Sequence, residues 1–183
     1  MLSQFKPEGG HSALGDLFDF PPDVYPVGRL DHDSEGLLLL TNDKKITPLL
    51  LDPKQKHKRI YWVQVEGMVS DKALDLLAQN VQINLDGKSY FTLPAKARRL
   101  LPGPEIPERI PPIRFRKNVP TSWIELCLRE GKNRQVRKMT AAVGFPTLRL
   151  IRVQIEDLKL GEMKSGDVME LERDFVYRKL KLK

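Results

Sequence analysis

The sequence predicts an α+β fold, a central and mostly antiparallel sheet flanked by a few helices. Three observations predict it. Short stretches alternate apolar with polar residues, as in "KRIYWVQVEG" (58–67) and "TSWIELCLRE" (121–130). Helical spacing is confined to brief segments. No regular strand–helix–strand alternation signals a parallel sheet. At 183 residues, 40% hydrophobic and 30% charged, the chain suits one core or one domain divided into two lobes.

The elements follow in order. Gly9, Gly10 and Gly15 make the first twenty residues a loop, with a short helix around "ALGDLFDF". "FPPDVYP" is a rigid connector, because proline fixes φ and lacks a donor. "GLLLLTND" (36–43) is a continuous apolar run ended by Asn-Asp, which predicts a strand buried on both faces. "KKITPLLLDP" predicts a short helix stopped at Pro53. In 58–67, Ile60, Trp62 and Gln64 share one face, and Tyr61, Val63 and Val65 the other. Ser70 caps a helix over 71–79, where Leu74, Leu77 and Ala78 recur at helical spacing. Short strands follow around 81–85 and 95–101. Six prolines in the 21 residues of "LLPGPEIPERIPPIRFRKNVP" mark a long surface excursion. "GKNRQVRKMTAAVG" (131–144) reads as a helix ended by Gly144. "TLRLIRVQIEDLKL" returns to strand, and the terminal "YRKLKLK" reads as a disordered basic tail. Trp62 and Trp123 read as core residues.

No apolar run approaches the roughly 20 residues needed to span a bilayer, and no secretory signal follows Met1. The single Cys127 excludes an intrachain disulfide and a cysteine-based metal cluster, so a reducing, cytoplasmic setting is expected. The net charge of +7 is regional. Residues 1–60 carry 8 Lys/Arg against 9 Asp/Glu, and residues 61–93 carry 2 against 4. Residues 94–152 carry 14 Lys/Arg, ten of them Arg, against 4 Glu. Guanidinium groups grip two phosphate oxygens at once and stay charged at any working pH, so this segment points to nucleic acid.

The most informative stretch is "VGRLDHDSEGLLLLTND" (27–43). Asp31, Asp33, Glu35 and Gly36 match the start of a calcium loop, but its twelfth position is Asn42 and positions seven to ten are leucines. Calcium is therefore not expected. His11, His32 and His57 are far apart in sequence and lack a spacing that would bind a transition metal; they read as surface or incidental polar residues. A solvated turn accounts for Asp33 and Glu35, but less well for Asp31 beside Arg29.

These residues resemble the G-R-L-D-x-x-S-x-G-L-L-x-L-T-N-D signature of the RsuA-type pseudouridine synthases. "KRIYWVQVEG" resembles the family's K-x-Y-x-V strand, "LREGKNRQVRKM" its L-x-E-G-[KR]-x-[RH]-Q-[VI]-[RK]-[RK]-M helix start, and "VGFPTLRLIRVQI" the element that follows. "PPIRFRKNVPTSW" further resembles the family's synthase E branch, which acts on 23S rRNA. The resemblance implies a single pseudouridine-synthase catalytic domain over 1–183, two lobes around a cleft. On that resemblance, the chain is expected to lack an N-terminal S4 domain and the family's first Lys-Pro strand. Implied roles are catalysis for Asp31, an active-site aromatic ring for Tyr61 and a charge partner of the aspartate for Arg137. Arg29, Lys132, Asn133, Arg134, Gln135, Lys138, Leu150 and Arg152 are the expected RNA contacts. On a helix, Arg134, Arg137 and Lys138 would share a face, opposite Val136, Met139, Thr140 and Val143.

The implied reaction breaks the C1′–N1 bond of a uridine in RNA, turns the uracil and rejoins it through C5. It needs neither cofactor nor metal. A monomer is expected. The alternative is a catalytically idle rRNA-binding module or chaperone with the same fold.

Overall fold

The computed structural model describes residues 1–114 and 116–182; Phe115 of the proline-rich excursion and Lys183 of the basic tail lie outside the described residues. The chain forms two compact units, residues 1–57 with 152–183 and residues 58–151.

The first unit begins with a 3-10 turn at Leu14–Asp16, where Asp16 accepts a hydrogen bond from the Ala13 amide at 2.8 Å. Strands β1 (Tyr25–Pro26), β2 (Glu35–Gly36) and β3 (Leu40–Thr41) are short, and β1 pairs antiparallel with β3. The strand expected over 36–43 is therefore broken. Leu37 donates to the carbonyl of Arg152 at 2.8 Å, while Leu39 accepts from Val27 at 2.8 Å. Successive residues turn to different partners, so Leu37 is buried and Leu38, Leu39 and Leu40 only half so. Helix α1 (Ile46–Leu51) buries Ile46 and Leu50. It ends at Asp52, whose ψ of 118° is the extended conformation that a following proline imposes.

In the second unit, β4 (Arg59–Glu66) is followed by helix α2 (Asp71–Ala78), capped by the Ser70 hydroxyl as expected. A hairpin of β5 (Gln82–Leu85) and β6 (Lys88–Phe91) turns at Asp86 and Gly87, both with positive φ. Strand β6 carries little sequence signal, because "KSYF" is short and mostly polar. Strands β7 (Lys96–Arg99) and β8 (Thr121–Leu128), helix α3 (Gln135–Ala142) and β9 (Thr147–Ile155) complete the unit, with strand order β9–β4–β8–β7. β4 and β8 pair antiparallel from Arg59↔Leu128 to Glu66↔Thr121. One face buries Val63, Val65, Ile124, Leu126 and Leu128 under Ala73 and Leu77 of α2 and Val136 and Met139 of α3.

The tryptophans correct the sequence reading. The period of two that buries Val63 and Ile124 sends Trp62 and Trp123 to the opposite face, half-buried and outside the core. Trp62 donates its indole N–H to Glu125 at 3.2 Å, and Gly103 lies against the Trp123 ring. Helix α3 also starts later than expected. Arg134 precedes it with φ 52°, in the left-handed region, so it cannot share a helical face with Arg137 and Lys138. The other end forms as expected: Gly144 has φ 91° and Phe145 donates to Thr140 at 2.9 Å.

The first unit is completed by the Arg152–Ile155 half of β9, by β10 (Leu158–Lys159) paired with it, and by helix α4 (Arg173–Leu180). β2 pairs with β9, and a side chain at Gly36 would collide with the Arg152 backbone. The tail expected to be disordered is mostly helix. Leu180 is fully buried beside Val27, Leu37, Ile46, Leu50, Ile155 and Leu158. Tyr177 and Arg173 bond the carboxylate of Asp43 at 2.8 and 3.0 Å. That apolar seat is what a count of basic residues could not reveal. The backbone amide of Lys45, then Tyr177 and Arg173, hold the Asp43 carboxyl below its usual range against the opposing effect of desolvation.

Candidate functional site

Asp31 belongs to the first unit and sits in a tightly built loop. Gly28, with φ 73°, turns the chain after buried Val27. The loop closes with a turn in which Ser34 donates to the Asp31 carbonyl at 2.9 Å. Asp31 is half-buried and Arg29 exposed. The loop is gripped from the N-terminal segment: the Ser3 hydroxyl donates to the Leu30 carbonyl at 3.1 Å and accepts from the Leu30 amide at 3.0 Å. Arg152 braces the following residues, donating Nε–H to the Leu37 carbonyl at 2.8 Å. The histidines are not all incidental. His57 is buried, with Nδ1 at 3.2 Å from Glu156, and the His11 and His32 rings lie 5.6 Å apart. Among the described residues no group of three or more His, Cys, Asp or Glu side chains is placed to hold a metal ion.

Tyr61 and Arg137 belong to the second unit. Tyr61 lies on the core-facing side of β4, half-buried and packed against the core cluster. Arg137 and Lys138 lie in the first turn of α3, both half-buried. The segment ahead of α3 is held by a buried polar network centred on Glu130. Its carboxylate accepts from the Tyr90 hydroxyl at 2.6 Å, the Leu93 amide at 2.8 Å and the Gln135 side chain at 2.7 Å. Gln135 in turn accepts from the Lys132 amide at 3.0 Å. Hydrogen bonding to Glu130, with burial, pushes the Tyr90 phenol up to about 12. Lys132 and Asn133 are thereby presented to solvent, with the Lys132 ammonium 5.2 Å from the Tyr90 ring centre.

Three expected RNA contacts are placed elsewhere. Gln135, Leu150 and Arg152 keep only 3, 5 and 6% of their surface, so they offer almost nothing to an RNA chain. Gln135 and Arg152 instead hold loops, and Leu150 is core. Arg29, Lys132, Asn133, Arg134 and Lys138 all retain accessible surface. A shallow cavity of about 610 Å³ lies in the second unit, where Arg114 and Lys117 are exposed and Arg116 pairs with Glu66 at 2.7 Å. Sequence reasoning missed Ser3 and Glu130. Ser3 gives no signal in a single chain, and Glu130, though it lies inside the basic motif, shows its bond to Gln135 only in the folded chain.

The sequence profile of the family described as RNA pseudouridylate synthase matches residues 6–142. The ribosomal large subunit pseudouridine synthase E of Vibrio parahaemolyticus is 46% identical over 171 residues, 93% of this chain and 69% of that protein. The protein of the same name from Xanthomonas axonopodis pv. citri is 54% identical over 143 residues, 78% of this chain and 73% of that one. A solved structure described as a pseudouridylate synthase superposes with a TM-score of 0.78 at 25% identity, covering 98% of this chain and 68% of that one.

Proposed function

The chain belongs to the RNA pseudouridylate synthase family, and from that premise we propose that it isomerises a uridine of 23S rRNA with Asp31 at the centre of the reaction. The isomerisation breaks the C1′–N1 bond, forms a C1′–C5 bond, moves a proton to N1 and releases the proton of C5. Atoms and charge balance without a co-reactant. Asp31 either attacks C1′ or removes a proton from the sugar, and both roles need an oriented carboxylate. The observation that supports the reading is the match of residues 6–142 to the family's profile. In the fold, Ser3 bonds both the amide and the carbonyl of Leu30 and so steadies the residue before Asp31.

The other roles follow the motifs. Tyr61 supplies an aromatic face for the splayed base, a contact worth about 1–3 kcal/mol. Arg137 is the basic residue that the motif assigns to the same reaction. Arg29, Lys132, Asn133, Arg134 and Lys138 contact RNA directly, whereas Gln135, Leu150 and Arg152 act by holding the segments around them. The large-subunit substrate rests on the similarity to synthase E proteins at 46 and 54% identity. A cytoplasmic monomer is the working state; no helix among the described residues is long and apolar enough to cross a membrane.

The test uses 23S rRNA transcribed with tritium at C5 of uridine. Rejoining through C5 expels tritium into water. Release by the wild type and none by Asp31→Asn supports the proposal; release by both variants overturns the role of Asp31, and release by neither overturns the activity.

A further inference from the structure

We propose that His11 and His32 form a platform on which an unpaired base of the substrate RNA, next to the target uridine, stacks; this deepens the reading above and rests on it. The two residues are 21 apart in sequence, and local structure brings them together. Gly9 and Gly10 both have positive φ, and the turn they make closes with the His11 amide donating to the Glu8 carbonyl at 3.1 Å. That turn is fixed to the body of the unit by the Leu2 amide on the Ser12 carbonyl at 2.7 Å and the Leu14 amide on the Gln4 carbonyl at 2.8 Å. Ser3 ties the same segment to Leu30, one residue before Asp31. His32 follows Asp31 directly, in the turn that Ser34 closes. The result is two exposed rings with centres 5.6 Å apart and planes inclined by 35°, carried by segments that are hydrogen-bonded to each other beside the assigned carboxylate.

Composition decides between a base and a phosphate as the occupant. Residues 1–36 hold 2 Lys/Arg against 7 Asp/Glu, and Asp31 and Asp33 flank His32. A phosphate would meet carboxylates there, whereas the cationic excess of the chain lies in residues 94–152. The same stretch is rich in rings: Phe5, Phe18 and Phe20 pack with centre distances of 5.6 and 4.9 Å, and Phe18 is 49% exposed. Exposed rings without surplus positive charge suit the faces of splayed bases, for which imidazole is a recognised stacking partner. A uridine taken out of its stack leaves its neighbours needing new contacts. His32 is placed to supply one, and His11 steadies its ring and extends the surface.

The test measures filter retention of unmodified 23S rRNA transcript and KM for tritium release, on wild type and on paired His11 and His32 variants. The paired alanine variant is expected to raise KM and the dissociation constant by about tenfold or more, the scale of one stacking interaction. Replacing both by phenylalanine should recover most of that affinity, because a ring face is kept while the imidazole is lost. Two results overturn the proposal: paired alanine indistinguishable from wild type, or rescue by arginine where phenylalanine fails. Tritium release by Asp31→Asn would sink the catalytic reading instead, while the binding measurement would still decide the platform.

Discussion

The two units of the chain are charged oppositely. The unit that carries Asp31 holds 14 Lys/Arg against 16 Asp/Glu, whereas the unit that carries Tyr61 and Arg137 holds 17 against 8. They are also built differently. The second unit has a sheet with eight consecutive β4–β8 pairs over a continuous core. The first has strands mostly of two residues, held by side-chain bonds such as Ser3 on Leu30 and Arg152 on Leu37. The difference teaches a division of labour: regular hydrogen bonding supports the basic unit, and individually placed polar contacts support the acidic unit and the loop that holds Asp31.

That division can be broken at several points. Asp31→Asn should lower turnover by at least about a thousandfold, as removal of a group acting directly on the reacting atoms does; tritium release measures it. Leu180→Ala should destabilise the protein by about 2–5 kcal/mol, because a fully buried leucine leaves a cavity. Urea unfolding checks this, and an effect under about 0.5 kcal/mol would return the tail to disorder. Glu130→Ala should cost about 1–3 kcal/mol by stranding the Leu93 amide and the Gln135 side chain. The phenol of Tyr90, now pushed up to about 12, should then titrate nearer its ordinary 10 in an ultraviolet titration. The sign is that of a raised group: the contribution of Tyr90 is fully present below pH 10 and is lost as pH rises through about 12.

Smaller effects sharpen the contrast. Replacing Lys132 and Arg134 by alanine should flatten the dependence of log affinity on log salt by about 1.5–2, because two phosphates are no longer neutralised. Asp43→Asn should narrow the difference from wild type on acidification. A depressed carboxyl stabilises fully above its ordinary 3.8, and that stability disappears as pH falls through the folded value. Melting temperatures of both proteins between pH 6 and 2 show whether the curves converge.

Much of the second unit was legible because alternation and caps are local signals. "KRIYWVQVEG", Ser70 and Gly144 each announce a strand, a start and a stop. Periodicity of two located Trp62 and Trp123 on the face away from Val63 and Ile124, but their size argued for core, and the register won. Gln135 and Arg152 sat within basic motifs and read as RNA contacts; only tertiary structure reveals Glu130 beneath one and the Leu37 carbonyl beneath the other. In the first unit, four successive leucines gave no hint that their backbone bonds would go to different neighbours. Leu180 was hidden by the lysines around it, because burial of α4 depends on packing against residues more than a hundred positions earlier.

The bond between Glu130 and Gln135 has a consequence for engineering. It brackets Gly131, Lys132, Asn133 and Arg134 between two buried anchors, so those four positions form a cassette. Libraries varied at 132–134 alone would change the charge and shape of that surface without reopening the core beneath it.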